Sequence, residues 1–465
     1  MAEIHWKIHK FGGSSLADAA CFRRVAGIVL AMPDERLGVV VSAMGGMTDA
    51  LLGLAVLAER DDDAYLGGLE AIGERYAATA RDLLDGDRLV AVLDGWSSDA
   101  EAVRDILKAI ALVKSAPQRS RDVVAGYGEI WSARLLAAYL GQEAPGRGGT
   151  WIDARDVVTV HETELGPSVL WDVSQTKFER TIPADFAGIA VITGFIATDQ
   201  DGLPTTLGRN GSDFSASIFA NLLDAGAVNI WTDVDGVMSG DPRLVPEATV
   251  IDEITYNEAM ELAYFGAKVI HPQTMAPAIS GNIPITIRNT FNPAHPGTRI
   301  AATAASRNEV VKGVSAFDGI ALVNLEGAGM IGVPGTADRL FGALRDAAIS
   351  VMLISQGSSE HSICFAVQEA EAESVRDVVE KAFAVELSQG QVQRVEVTPA
   401  SAIIAVVGDG MSGLPGSAGK FFRTLGNSGI NVRAIAQGAS ERNISAVISA
   451  RDMTKALRAV HSSFY

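Results

Sequence analysis

The sequence predicts an α/β fold, a three-layer and mainly parallel sheet followed by two ferredoxin-like α+β units. Three observations carry that expectation. Apolar runs at 37–43 and 189–195 are too short to cross a membrane and have no polar face, as expected of strands buried on both sides of a parallel sheet. These runs end in glycine or polar turns followed by helix-like stretches, the alternation of a layered α/β domain. Beyond residue 300 the pattern changes, and the chain matches itself at a constant offset.

Taken in order, residues 4–11 alternate and break at Gly12-Gly13, a strand running into a glycine turn. A helix-like stretch at 16–31 leads to the 37–43 strand, which ends at Gly45-Gly46 before a second helix at 48–59. From 60 to 140 the pattern is mostly helical. The apolar run 187–197 reads as a single buried strand that feeds the polar stretch 205–213. Phe214, Ile218 and Leu222 then share a helical stripe, with Ser212 or Asp213 expected to cap that helix. A strand near 229–237 opens into a polar loop through Asp241-Pro242-Arg243. Residues 254–264 read as helix, and 283–288 as a strand with Pro284 at its start, where a missing donor is tolerated. The turn cluster at 292–297 closes a domain taken as 1–300.

The remainder is a tandem. Gly329-Met330 matches Gly410-Met411, Phe341 matches Phe422, Ile349 matches Ile430, and Gln356-Gly357 matches Gln437-Gly438, each offset by 437 − 356 = 81. Each copy approaches βαββαβ order. The first, 317–398, gains a last strand near 392–397; the second, 399–465, stops without one, so 310–315 is expected to complete it.

The totals restrict function. A chain of 465 residues suggests about two to four domains. Its 48% hydrophobic and 20% charged content is that of a globular protein. A net charge of −18 argues against a broad nucleic-acid or anionic-membrane surface, so an anionic substrate needs local cations. Cys21 and Cys364 form no disulfide framework, which fits a reducing cytoplasm. The N-terminus lacks a basic-then-apolar signal pattern, and no apolar run reaches about 18 residues.

Four strand ends carry glycines and polar groups: 10–15, 42–48, 208–213 and 232–235. Ligands of open parallel sheets bind at the carboxyl ends of strands, so these four are expected at one crevice. Lys10 ahead of Gly12 and Gly13 is suited to a phosphate, although the spacing is not that of a GxxxxGK[ST] loop. Phosphoryl transfer asks for positioning and positive charge. Lys10 and Lys268 are candidates to neutralise the phosphate, and Arg209 to grip an acceptor carboxylate. Asp213 and Glu129 are candidates to orient an ammonium or the lysines; Glu129 also reads as a helix N-terminal acid facing water. Asp233 and Asp235 suit either a ribose or a turn cap, and His271 a structural donor. No cluster has metal-ligand spacing, so Mg²⁺ is expected to arrive with the nucleotide.

Four motifs, Lys10-Phe-Gly-Gly-Ser-Ser15, Leu207-Gly-Arg-Asn-Gly-Ser-Asp213, Trp231-Thr-Asp-Val-Asp-Gly236 and Phe265-Gly-Ala-Lys-Val-Ile-His-Pro272, together resemble those of aspartate kinases of the amino-acid kinase family. The 81-residue tandem is similar to paired ACT regulatory domains. Asn210, with the run 437–445, is similar to the kinase half of bifunctional aspartate kinase–homoserine dehydrogenases, whose dehydrogenase would lie beyond Tyr465. The resemblance implies ATP-dependent phosphorylation of the L-aspartate side-chain carboxylate to 4-phospho-L-aspartate. It places Lys10, Gly12, Gly13 and Ser14 along the phosphate path, and Thr48, Glu129, Arg209 and Ser212 on aspartate. Asp213 would orient the catalytic lysine, while Thr232, Asp233, Arg243 and Lys268 would contact ATP. Met238 stands in the nucleotide loop where relatives often carry an aromatic. Gln356 and Gln437 are implied effector contacts, with threonine favoured over lysine, and the ACT units imply a homodimer or higher homo-oligomer. Two alternatives stay open: a kinase for another acidic amino acid, and a non-catalytic sensor with a decayed kinase domain.

Overall fold

The computed structural model describes residues 6–164, 166–264, 272–304, 309–357 and 361–465. Its chain divides into two compact units, 1–237 with 269–303, and 238–268 with 304–465.

The first unit is a three-layer α/β structure. Its strands are β1 (Lys7–Phe11), β2 (Arg36–Val41), β3 (Gly149–Ile152), β4 (Thr159–Thr163), β5 (Gly166–Val169), β6 (Gly188–Thr193), β7 (Ile196–Asp199), β8 (Pro204–Thr206) and β9 (Ala227–Thr232). The short β10 (Glu253–Thr255) belongs to the second unit, and β11 (Ile285–Asn289) and β12 (Thr298–Ala301) complete the first. The main sheet of this unit runs β12-β11-β9-β1-β2-β6-β3. It is parallel except for β12, which pairs antiparallel with β11. Every residue of β6, and all of β2 but Arg36, is buried, because helices cover both faces. Helix Gly211–Leu222 packs on β1, β2 and β9, and helix Gln118–Glu143 on β2, β3 and β6. Helices Ala19–Leu30, Met47–Glu59, Ala64–Leu83 and Gly86–Val113 extend the layers. Among the described residues no helix is long and apolar enough to cross a membrane.

The run 187–197 is not one strand. It breaks at Gly194 and at Phe195, whose φ is +70°, so β6 stays in the main sheet while β7 joins a small sheet ordered β5-β4-β7-β8. Apolarity reported burial correctly but carried no sign of the change of sheet.

The second unit holds β13 (Gly313–Glu326), β14 (Leu353–Gln356), β15 (Ser362–Gln368), β16 (Arg394–Val407), β17 (Ala434–Gln437) and β18 (Asn443–Ser449). They form one antiparallel sheet, β14-β15-β13-β16-β18-β17. Each of the two 14-residue strands serves both copies of the repeat. The end of β13 runs beside β15 in copy one, while Gly313–Phe317 pair with Ile403–Val407 in copy two. Register shifts between Phe317 and Leu322 bend the sheet. The helix-free faces of its two halves then share a core of Ile320, Leu322, Leu353 and Ala366 with Ile403, Ala405, Ala434 and Val447. Helices Thr336–Asp346 and Ala372–Ala382 cover copy one, and Ser417–Asn427 and Met453–Phe464 cover copy two.

Segment 238–264 is bound into this second unit by specific polar contacts. Ser239 Oγ lies 2.9 Å from His461 Nε2, and Arg458 donates to the Leu244 carbonyl at 2.6 Å. Val245 belongs to the copy-two core. In helix Tyr256–Tyr264, the Glu258 carboxylate accepts from the Asp409 amide at 2.7 Å, and Glu261 accepts from Asn443 Nδ2 at 2.8 Å.

Candidate functional site

The carboxyl ends of β1, β2 and β6 open onto a cavity of about 750 Å³ in the first unit. Its lining includes Gly13, the 42–46 turn, Thr48, Glu129 and 208–212. Three of the four glycine-punctuated strand ends therefore meet there. The fourth, 232–235, is not in the lining but is tied to the first, since Gly12 N–H donates to the Trp231 carbonyl at 3.3 Å.

Lys10 points from β1 to Asp213, with Nζ and Oδ1 2.7 Å apart and both side chains largely buried. Asp213 is in the first turn of helix Gly211–Leu222, where the helix dipole also favours a carboxylate. Neither Ser212 nor Asp213 caps that helix. The N-cap is Asn210, with φ +56° and no side-chain cap bond, so the expected cap is corrected: the helix starts earlier than its apolar stripe, and both residues lie inside it. Ser212 is buried at the cavity wall. Gly12 lies beside the lysine, a Cβ there falling 3.6 Å from Lys10 Nζ, and Ser14 is exposed.

The turns after β1 and β2 touch backbone to backbone. A Cβ on Gly13 would sit 3.1 Å from the Ala43 carbonyl, and one on Gly45 would sit 3.1 Å from the Gly13 carbonyl. Gly46, with φ +74°, occupies the left-handed region glycine favours and starts helix Met47–Glu59.

Glu129 lies in the middle of its helix, 4% exposed, which removes the reading as a water-facing helix-end acid. Its carboxyl accepts from the Ala43 amide and the Thr48 hydroxyl, and Oε2 has no partner among the described residues. Burial outweighs those bonds and pushes its pKa up to about 8. Arg209 is exposed at the cavity and has no carboxylate partner among the described residues. A carboxyl with an idle oxygen in one cavity with a guanidinium that has no carboxylate partner among the described residues suits a small zwitterion, the first taking an ammonium and the second an acid group.

Thr232 donates to Asp233 Oδ1 at 3.2 Å, next to the end of β9. Asp235 accepts from the amides of Asn289 and Asn292 at 2.8 and 3.1 Å, which matches the turn-holding alternative. Met238 and Arg243 lie in the second unit; Met238 bridges Val250, and the exposed Arg243 pairs with Asp241 at 2.7 Å. Lys268 and His271 lie outside the described residues. Gln356 and Gln437 line equivalent cavities of about 300 and 290 Å³, each beside the N-terminus of a copy's first helix.

Sequence reasoning missed Gln118 and Asp122, which line the same cavity as Ala125 and Glu129. Their spacing of four, three and four residues is one helical stripe, and that was a usable signal. It also missed Asp49 and Glu162, which no pattern marked.

The amino acid kinase family profile matches residues 5–289, and an ACT domain profile matches 323–383 and 404–464. The chain is 43% identical over 468 residues to bifunctional aspartokinase/homoserine dehydrogenase 1, chloroplastic, of Arabidopsis thaliana, covering 99% of the chain and 51% of that protein. It thus spans about half the length of the curated relatives it matches first. Among solved structures, Clostridium acetobutylicum aspartate kinase superposes with a TM-score of 0.82 at 27% identity, covering 99% of this chain and all of that one. E. coli aspartokinase III, solved with aspartate and ADP, gives 0.81 at 27% identity, covering 98% and 99%.

Proposed function

We propose, from the premise that the chain belongs to the amino acid kinase family, that it transfers the γ-phosphoryl group of ATP to the side-chain carboxylate of L-aspartate. The observation that carries this reading is the buried Glu129 carboxyl with its idle oxygen, in one cavity with Arg209 and with Ser212, the neighbour in sequence of the Asp213 that holds Lys10. Glu129 and Thr48 take the α-ammonium, Arg209 the α-carboxylate, and Ser212 donates from the wall. A side-chain carboxylate oxygen then attacks the γ-phosphorus. The new O–P bond forms as the bond to the β–γ bridging oxygen breaks, and its electron pair leaves with ADP. Lys10, held by Asp213, sets positive charge where the phosphoryl oxygens pass, and Gly12, Gly13 and Ser14 line that path. Thr232, Asp233, Met238, Arg243 and Lys268 are assigned to ATP, which brings Mg²⁺ as part of the substrate.

The division into 1–300, 317–398 and 399–465, with 310–315 completing the last, is kept as the functional one. The paired cavities are read as amino-acid effector sites, with Gln356 and Gln437 as contacts and threonine favoured over lysine. Exposed Ile354 and Ile435 occupy equivalent edge positions, which supports association of copies through the ACT units. The compartment is proposed as the cytoplasm, in keeping with two free cysteines. Coupled ADP-release assays with aspartate, with glutamate as control, test the activity. Equal rates with both would sink the substrate assignment, and strong inhibition by lysine with none by threonine the effector assignment.

A further inference from the structure

We infer that Arg75 is a positioning residue for phosphoryl transfer, a staple that holds the two glycine turns of the cavity in register. The inference rests on the kinase reading above. Arg75 stands on helix Ala64–Leu83, with much of its side chain in solvent. Its Nη2 donates to two carbonyls at once, Gly45 at 2.8 Å and Ala17 at 2.9 Å. Gly45 belongs to the turn that supplies Thr48 and the Ala43 amide to Glu129. Ala17 ends the turn Gly13–Leu16 that follows Lys10.

These turns are hard to fix by packing. They meet through Gly13 and Gly45, where a Cβ would fall 3.1 Å from a carbonyl of the other turn, so apart from the Ala17 methyl beside Gly45 the contact is backbone on backbone. A planar guanidinium bonded to both carbonyls supplies the missing restraint, and charged donors make the stronger hydrogen bonds. The restraint has a direction. In a trans peptide the C=O and N–H point opposite ways, so anchoring the Gly45 carbonyl turns the Gly46 N–H away from Arg75. Gly46 lines the cavity, at the start of a helix whose free amides favour an anion. Arg75 touches neither substrate; it sets where the backbone donors and Thr48 stand. Misplacement on the 1 Å scale in such a site costs up to about a hundredfold in rate.

The test uses the full chain as wild type, Arg75→Met and Arg75→Lys, with kcat, both KM values and the thermal midpoint recorded. Arg75→Met is expected to lose about tenfold or more in kcat, with a midpoint within about 2 °C of wild type because the residue is exposed. Arg75→Lys, which can still reach a carbonyl, is expected to recover most of that loss, as is Arg75→Met with millimolar guanidinium added. Arg75→Met matching an active wild type in kcat and KM overturns this inference alone. So does a rate loss that tracks a fallen midpoint and is not rescued by lysine or guanidinium. A wild-type chain without aspartate-dependent ADP release overturns the kinase reading, and this inference with it.

Discussion

Binding of L-aspartate at pH 7 is expected to release close to one proton per site, and the proton comes from Glu129. The Glu129 carboxyl is pushed up to about 8 by burial, so in the free protein it is mostly uncharged at neutral pH. An ammonium beside its idle oxygen needs the carboxylate. The ionised fraction is about 0.01 at pH 6, about 0.09 at pH 7 and about 0.5 at pH 8. Apparent affinity scales with the competent fraction, so aspartate is expected to bind about fiftyfold more tightly at pH 8 than at pH 6. Titration calorimetry at pH 7 in buffers of different ionisation enthalpy would read about 0.9 proton released per aspartate. Glu129→Gln keeps the shape without the charge. It should flatten the pH profile and weaken binding at pH 8 by roughly thirtyfold or more, about 2 kcal/mol for a lost buried charge partner. The sign for stability runs the other way. The unfolded carboxyl ionises near 4.5, so the unligated protein loses stability as pH rises from about 4.5 to 8, by at most about 5 kcal/mol. Heat that is independent of buffer, or affinity flat from pH 6 to 8, would refute the reasoning.

Lys10→Ala is expected to lower kcat by roughly a hundredfold, as when a preorganised donor is removed, and an unchanged rate would mean the site is misplaced. His9, buried in β1, has its pKa lowered by burial to about 3, and its Nδ1 accepts from Trp231 Nε1. The unfolded chain therefore takes up that proton first, and stability falls as pH drops from 6.5 toward 3, by about 2 kcal/mol at pH 5. Urea midpoints at pH 7 and pH 5 should show that loss in wild type and a smaller one in His9→Gln. Replacing Gln356 and Gln437 together by alanine should raise the threonine concentration needed for half-inhibition at least tenfold, read in rate assays, while leaving the uninhibited rate near wild type.

How much could be read in advance depended on what each segment had to signal. β2 and β6 announced themselves because strands covered on both faces are apolar throughout. The β4–β5 and β7–β8 hairpins did not, since short strands of Thr, Ser and Pro look like loop. The tandem was legible because Met330 and Met411, or Ile349 and Ile430, fill equivalent core positions that tolerate little change of volume. In the cavity, motifs pointed to Lys10 and Asp213, but only folding shows residues 203 positions apart meeting at 2.7 Å. Arg75 carried no local mark; its role lies in two carbonyls, and carbonyls leave no trace in a sequence.

The long strands β13 and β16 run unbroken through both repeat copies, so no linker separates them. A recombination point at the repeat boundary would leave a strand without its neighbour on either side. Loss or exchange of one copy alone would therefore unpair part of a strand that the other copy needs, while the loops around either cavity lie outside the shared strands. A change of effector specificity in one copy thus asks for loop substitutions and leaves the shared strands as they are.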